Sequence, residues 1–596
     1  MLLSRFLLLF AGAQSALATC KCTPTDTCWP SLSKWNSLNA SVHGQLVLNT
    51  PIAKPCYPGP GQDKDLCQDI SREWNNALFQ EKYPVGYTYP LVDSCPPINA
   101  SVPSYGVCDL GNSPVYTINA TRAEDVAAGI TFAKNNNVRL VIKNTGHDAT
   151  RRSQGYGSLM IWIRNIRNGL HYQDYYTSSD GFCQSNWTDS AITVGGGYIW
   201  RDVYAFAAKH GRIVVGGDDR TVGSIGGYLQ GGGHGPASHA FGLATDQVLE
   251  YQVVLASGEI ITANACQNTD LFTALRGGGG GTFGVVVSAT IKAYQTRSVL
   301  VHQAEIVPLE SGDDGANSLL NVTAELLARF PTLLDAGFAG YVKLVQSGEQ
   351  RVYQHFFVNL LESNTSAAVQ QAKQMMQKQV VDDLLLPLNG TSMFAKSSFQ
   401  FVPTFGEYTS GVGSKQDVAG PGLMMAFRFF DKKSLHDQQE SLLDMFHTMF
   451  SQDVTGVLPL ASMFDIGFIG GGKVLESVPH TSVNPAWRRT YGLARYIDIW
   501  PDNADLSEIQ QINDGVTFKK LDAMKALTPG MGAYLNEADG DNPEWREDWF
   551  GGKYNWLKSV KDKYDPEGVF WCWRCVGSER WEEVKGGTVY GPLCKV

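Results

Sequence analysis

Glycine-rich turns carry the clearest chemical signal in this chain. Gly216-Gly217 leads into Thr221-Val222-Gly223-Ser224-Ile225-Gly226-Gly227, then Gly231-Gly232-Gly233-His234-Gly235, and later an unbroken run from Gly277 to Gly281. Backbone N–H groups reach phosphate oxygens only where no side chain intervenes, and a helix N-terminus adds partial positive charge. A diphosphate cofactor requires such turns, although any one alone could be no more than a tight turn. The pattern is not a dinucleotide fingerprint of the G-x-G-x-x-G kind, and no phosphate-loop lysine accompanies it. His147 follows Gly146 in the turn Asn144-Thr145-Gly146-His147-Asp148. A histidine there is a core residue, a ligand or an attachment point. His234 and His239 form the only close histidine pair, with Pro236 between them and no third ligand nearby, so no metal site is expected. Cys572 and Cys575 form a Cys-x-x-Cys without a thioredoxin-like turn around it, which favours structural disulfide bonding.

Helix–strand pairs must position these turns. Thr121 and Glu124 match a capping box, Val126, Ile130 and Ala133 share a helical face, and residues 138–142 suit a buried strand that runs into the His147 turn. Trp200, Val203, Tyr204, Ala207 and Ala208 share a second face closed by Gly211, with a strand predicted at 213–215. Residues 248–255 and 259–262 read as a hairpin. Asp270 is expected to cap a short helix over 271–276, and 284–294 alternates as a strand. From about residue 298 the glycine runs vanish, and helical faces alternate with strands to about 505. Leu557, Val560, Lys561 and Tyr564 share a last face that ends at Asp565-Pro566.

The whole chain has 596 residues, too long for one core. A net charge of −10 with no basic stripe excludes nucleic acid as an expected partner. At the N-terminus, Arg5, the apolar run 6–13 and Ala16-Leu17-Ala18 read as a secretory signal peptide over 1–18. That run is well short of the about 20 residues that span a bilayer, and no later segment reaches it, so no membrane association is expected. The chain has 12 cysteines, and acceptor sequons stand at Asn39, Asn99, Asn119, Asn186, Asn321, Asn364 and Asn389. These point to a secreted, extracellular glycoprotein with most cysteines paired. Cys20, Cys22, Cys28, Cys56, Cys67, Cys95 and Cys108 crowd a loop-rich extension over 19–105.

The run Val141-Ile142-Lys143-Asn144-Thr145-Gly146-His147-Asp148, followed by Gly155-Tyr156-Gly157-Ser158-Leu159, resembles the phosphate-binding loop of vanillyl-alcohol-oxidase-type (PCMH-type) flavoproteins. Within them it is most similar to the berberine-bridge-enzyme-like branch and its secreted fungal oxidases of the isoamyl-alcohol-oxidase kind. Three further stretches resemble the family's other signatures in the family's order: Gly231 to Gly235 with Phe241 to Asp246, Asp270 to Val286, and Tyr534-Leu535-Asn536-Glu537 with Lys563 to Pro566. The resemblance implies an α+β fold. A two-subdomain PCMH-type FAD-binding domain would occupy 106–297, and an α/β substrate domain with a large antiparallel sheet 298–505. Residues 506–596 would return to the FAD domain.

By the same resemblance, His147 bonds covalently to the flavin 8α-methyl group. Contacts to FAD are implied for Lys143, Asn144, Thr145, Gly146, Asp148, Ser153, Leu159, Thr221, Val222, Gly223, Gly226, Gly227, Gly233, His234, Gly284 and Val286. Many relatives add a second link through a cysteine two residues before Thr-Val-Gly. Asp219 stands there in this chain, so a single bond through His147 is expected. Tyr534 is the first candidate base, provided that a cation lowers its pKa from about 10. His234 is the runner-up, Asn536 would orient the flavin or Tyr534, and Glu537 is either catalytic or solvated. Tyr156 and Tyr228 line the pocket or merely pack. The expected activity is hydride transfer from a small alcohol, phenol or carbohydrate-type substrate to FAD, with dioxygen as acceptor giving hydrogen peroxide. Oxidative cyclisation or desaturation in secondary metabolism is the alternative, and a non-catalytic secreted glycoprotein is a third reading. Substrate contacts should come from 300–500.

Overall fold

The computed structural model describes residues 20–90, 95–98, 107–347, 350–420, 422–451, 459–500, 504–585 and 590–596. The expected signal peptide and Asn99 lie outside them. The first sheet joins β1 (Leu46–Leu48), β2 (Tyr116–Asn119), β3 (Arg139–Lys143) and β4 (Ser158–Trp162) in the order β1-β2-β4-β3, with β2 and β3 parallel to β4. The helix Ala123–Asn135 buries Val126, Ile130 and Ala133 against it, as the periodicity requires. Its start differs from the expected capping box: the Asp125 carboxylate, not Glu124, accepts from the backbone and hydroxyl of Thr121.

A second, antiparallel sheet contains β5 (Leu170–Gln173) and β6 (Ala191–Gly195). β7 (Arg212–Ile213) lies outside it and is shorter than expected. The sheet continues with β8 (Val248–Val254), β9 (Ile260–Asn264) and β10 (Val285–Lys292), in the order β5-β6-β10-β8-β9. The expected hairpin is the β8–β9 pair. β11 (Tyr294–Gln295) pairs with β7. The helix Thr269–Leu275 starts at Asn268 in a left-handed conformation. Asp270, expected as its cap, lies one residue inside it, accepts the Leu271 N–H, and also binds Lys563 and Tyr564 of the C-terminal helix Tyr554–Tyr564.

The third sheet contains β12 (Ser298–Pro308), β13 (Phe338–Ser347), β14 (Gln350–Leu361), β15 (Met393–Val402), β16 (Leu423–Asp431), β17 (Ala461–Phe468) and β18 (Thr490–Ile499). It is antiparallel throughout, in the order β15-β12-β14-β13-β17-β18-β16. Period-two alternation divides its faces. Val342, Leu344, Phe464, Ile466, Ala494 and Tyr496 join a core with the helices Gly312–Asp335 and Gln439–Phe450. The other face turns toward the glycine-rich region, where Val299, Val301, Val358, Phe429 and Leu493 share its core.

Six disulfides pair all twelve cysteines: Cys20–Cys594, Cys22–Cys28, Cys56–Cys67, Cys95–Cys108, Cys183–Cys266 and Cys572–Cys575. The first ties the N-terminal extension to the tail. The extension is less loop-like than expected, since it contains the helices Leu32–Ser41 and Lys64–Glu73. Among the described residues no helix is long and apolar enough to cross a membrane. Of the sequon asparagines, Asn186, Asn321, Asn364 and Asn389 are exposed, and Asn39 is half-buried. Asn119 is half-buried in β2, with its amide bonded to Gln45 and Asn165.

Candidate active site

A cavity of about 490 Å³ lies between the glycine turns and the open face of the third sheet. On the first side its wall is mainly backbone. Gly146 has φ +92°, and a Cβ there would lie 2.9 Å from the Gly86 carbonyl, so only glycine lets the turn carry His147 to the cavity. A Cβ on Gly280 would meet the Gly227 Cα at 2.9 Å, so the two glycine runs touch backbone to backbone. Leu140, Ile142, Phe570 and Trp571 add apolar surface. Asn144 Oδ1, Ser153 Oγ, Gln230 Oε1 and His234 Nδ1 are buried at this cavity without a hydrogen-bond partner. Buried polar atoms are rarely left so, and their clustering fits a polar ligand. Glycine backbone, apolar side chains and unpaired polar atoms together fit a dinucleotide with a flat ring.

Of the residues expected to touch FAD, all line the cavity except Lys143, Leu159, Thr221 and Gly233. Alternation along β3 explains the first correction: Leu140 and Ile142 face the cavity, so Lys143 faces away. Its ammonium lies between Tyr87 and Trp162 and donates to the carbonyls of Tyr83 and Pro84, both at 2.8 Å. Burial lowers its pKa to about 7. Leu159 is buried in the core beneath the first sheet. Gly233, at φ +71°, packs against the Tyr228 ring. Thr221 sits behind His147. Tyr228 lines the cavity, whereas Tyr156 stacks on Tyr590.

His147 stands at a cluster of carboxylates. Its Nε2 is 2.6 Å from Thr221 Oγ1. Thr221 donates its backbone N–H and its hydroxyl to Asp219 Oδ1, each at 2.6 Å. Asp219 Oδ2 accepts the backbone N–H of Asp417. Tyr89, from the N-terminal extension, donates to Asp417 at 2.6 Å and meets the His147 ring edge-on at 6.0 Å.

All four expected catalytic residues line the same cavity. Arg152 donates to Asn536 Oδ1 at 2.7 Å, and Asn536 Nδ2 donates to the Tyr534 oxygen and to the Gly227 carbonyl. Burial pushes the Tyr534 phenol well above its usual range, and the neighbouring Glu537 adds to the shift. Arg152 and the Asn536 amide oppose the shift without cancelling it. Glu537 is the opposite case. Burial disfavours its charge, but Arg495 and His234 more than compensate and hold its pKa below the ordinary value. Its oxygens lie 3.3 Å from His234 Nε2 and 3.4 Å from Arg495 Nη1.

Sequence reasoning did not single out the side chains of the third sheet. Cross-strand register places Lys343 opposite Asp465, Asp465 opposite Arg495, and Arg495 opposite Phe427, one charged row along the cavity. The next row carries Tyr341, Gly467 and Leu493. Asp465 accepts from Arg495 Nη2 at 2.7 Å. Lys415 pairs with Asp218 at 2.9 Å and lies over the Tyr341 ring. Alternating polar positions in a strand were the only signal, and a solvent-facing strand gives the same one.

Comparison with known proteins agrees with this architecture. Residues 114–264 match the FAD binding domain family, and residues 533–574 match the berberine and berberine-like family. The FAD-linked oxidoreductase apf9 of Gibberella fujikuroi is 37% identical over 97% of this chain and 97% of its own length. The bifunctional decalin synthase calF of Penicillium decumbens is 32% identical over 97% of this chain and 96% of its own. Among solved structures, the VAO-type flavoprotein MtVAO713 from Myceliophthora thermophila C1 has a TM-score of 0.89 at 33% identity, over 97% of this chain and 100% of that one. The glucooligosaccharide oxidase from Acremonium strictum, with a 6-S-cysteinyl, 8α-N1-histidyl FAD, shares the fold at 20% identity and TM-score 0.56, over 78% of this chain and 92% of its own.

Proposed function

The chain belongs to the berberine-bridge-enzyme-like branch of the vanillyl-alcohol-oxidase-type FAD-linked oxidoreductases, and on that premise we propose that it oxidises a small alcohol, phenol or carbohydrate-type substrate on FAD bonded to His147 alone. Dioxygen is the acceptor in this reading and hydrogen peroxide the product. The cofactor supplies the hydride acceptor, and the protein supplies binding, orientation and proton handling. The glycine turns around Gly226, Gly227 and Gly280 would hold the diphosphate, and His147 the ring. In this reading His147 takes the part of the histidyl half of the linkage named for the Acremonium strictum oxidase, and Asp219, where the sequence resemblance would put the cysteine, leaves no second link.

Glu537, half-buried at the cavity between His234 and Arg495, carries this reading. Glu537, bonded to His234, takes the substrate's acidic proton as hydride leaves the adjacent carbon. Arg495 keeps the carboxylate charged and Asp465 holds Arg495. Tyr534 donates a hydrogen bond to the substrate oxygen, oriented by Asn536 and Arg152. Proton transfer of this kind contributes about 10²–10⁴-fold. The disulfides and the exposed Asn186, Asn321, Asn364 and Asn389 support a secreted glycoprotein. Anaerobic mixing with a panel of alcohols, phenols and oligosaccharides tests the activity. Bleaching of the flavin absorbance, with one peroxide per product after aeration, is expected. Product formation without peroxide would overturn the dioxygen assignment.

The decalin synthase relative favours a second reading, in which the same hydride step serves cyclisation or desaturation of a secondary metabolite. A polyene converted to a cyclised product, with none of the simpler panel bleaching the flavin, would replace the first reading by this one. A colourless protein would leave only a non-catalytic role.

A further inference from the structure

We propose that Asp219, acting through Thr221, holds His147 in the tautomer that bonds to the flavin, so that the residue standing in place of a second tether serves the first. This rests on the covalent reading above. A carboxylate only accepts hydrogen bonds. The Thr221 hydroxyl proton therefore goes to Asp219 Oδ1 at 2.6 Å, a charge-assisted bond stronger than one to a neutral ring nitrogen. The hydroxyl oxygen is then left as an acceptor 2.6 Å from His147 Nε2. Nε2 must carry the ring proton, and the lone pair lies on Nδ1.

The arrangement is held from several sides. Thr221 is fully buried. Asp219 also accepts the backbone N–H groups of Thr221 and Asp417. The backbone N–H of Arg220 is bonded to the Lys415 carbonyl at 3.0 Å and the Arg220 carbonyl accepts the N–H of Arg201, so the loop is clamped between the helix Trp200–Lys209 and the segment that precedes β16. Ligand-type atoms of His147, Asp219 and Asp417 lie within 4.8 Å of one another. Positive charge that develops on the imidazole as its lone pair is used is therefore met by carboxylates.

Bond formation balances as follows. The Nδ1 lone pair forms the N–C bond to the 8α carbon, and one C–H bond there breaks with its electron pair passing into the ring system. The methyl proton and the Nε2 proton leave, the latter through Thr221 toward Asp219. Dioxygen then removes the two electrons and takes up two protons as hydrogen peroxide. Asp219 and Thr221 are positioning residues in this step, and His147 is the nucleophile.

The test reads attachment, not turnover. Protein made in a riboflavin-limited host is mixed with FAD in air and denatured in acid at intervals. The flavin retained on the polypeptide is followed by in-gel fluorescence and intact mass. Wild type should retain one FAD, and His147→Ala none. Asp219→Asn and Thr221→Val should attach at least tenfold more slowly while still binding FAD reversibly, and Thr221→Ser should recover the wild-type rate. If Asp219→Asn no longer binds FAD, the Thr221→Val and Thr221→Ser pair decides: slow with valine and fast with serine supports the relay, equal rates overturn it. Wild-type rates in both Asp219→Asn and Thr221→Val overturn this inference alone. Wild type that releases all its flavin overturns the covalent reading and this inference together.

Discussion

The cavity wall that comes from the first two sheets is built of backbone, glycine turns and unpaired polar atoms, whereas the wall from the third sheet is built of charged and aromatic side chains at alternate strand positions. The first can grip any molecule with the same diphosphate and ring. The second offers charged groups in a fixed row, which suit only a ligand of matching polarity. The difference separates a wall suited to a cofactor from a wall suited to a substrate.

If the walls divide the work in this way, changes to one should spare the other. Glu537→Gln should slow flavin reduction by about 10²–10⁴-fold with FAD content unchanged; a parallel fall in FAD content, measured by absorbance, would break the division. Gly280→Ala should do the reverse, because its Cβ presses on the Gly227 Cα: bound flavin falls, while whatever flavin is retained is reduced at the normal rate. Arg495→Met removes the cation that Glu537 and Asp465 share, and should lower stability by about 2–3 kcal/mol in urea titration, less than for a fully buried pair because Arg495 is partly exposed. It should also raise the apparent pKa of the reductive step. Tyr534→Phe removes one hydrogen bond and should cost about 10-fold in reduction rate, about 1.4 kcal/mol. A larger loss than that of Glu537→Gln would return the role of base to the phenol.

The smallest effect concerns the third sheet far from the chemistry. His302 and His355 are buried and bonded to each other at 2.9 Å, and Tyr353 donates to His355 at 2.8 Å. Burial lowers His302 to about 4 and His355 well below its usual range. Between about 6.5 and 4 the unfolded chain binds more protons than the folded one, so stability is full above about pH 6.5 and falls as pH drops toward 4. His302→Asn should flatten that slope in thermal melts. An unchanged slope would remove this pair from the account.

The two walls also differed in how far they could be read from sequence. Glycine turns are legible because backbone approach excludes every other residue type, and the turn that carries His147 stood out for that reason. The error at Lys143 is a strand effect: the residue abuts the loop in sequence, yet period-two alternation sends its side chain to the far face. Asp465, Arg495 and Lys343 went unseen because their strands alternate as any half-exposed strand does, and only register brings the three into one row. Tyr89 was hidden for another reason, since a disulfide-stapled extension gives no sign that it reaches a site in the chain's later half. The α+β class and the large antiparallel sheet were implied by resemblance. The strand order was not, because sheet neighbours such as β12 and β15 are far apart in sequence.

The proposed covalent bond at His147 is most directly tested by mass spectrometry of the acid-denatured protein and of its His147 peptide. The account expects one FAD, attached once, on that peptide, with the peptide containing Asp219 unmodified. A polypeptide without flavin, or flavin carried on any other residue, would contradict it.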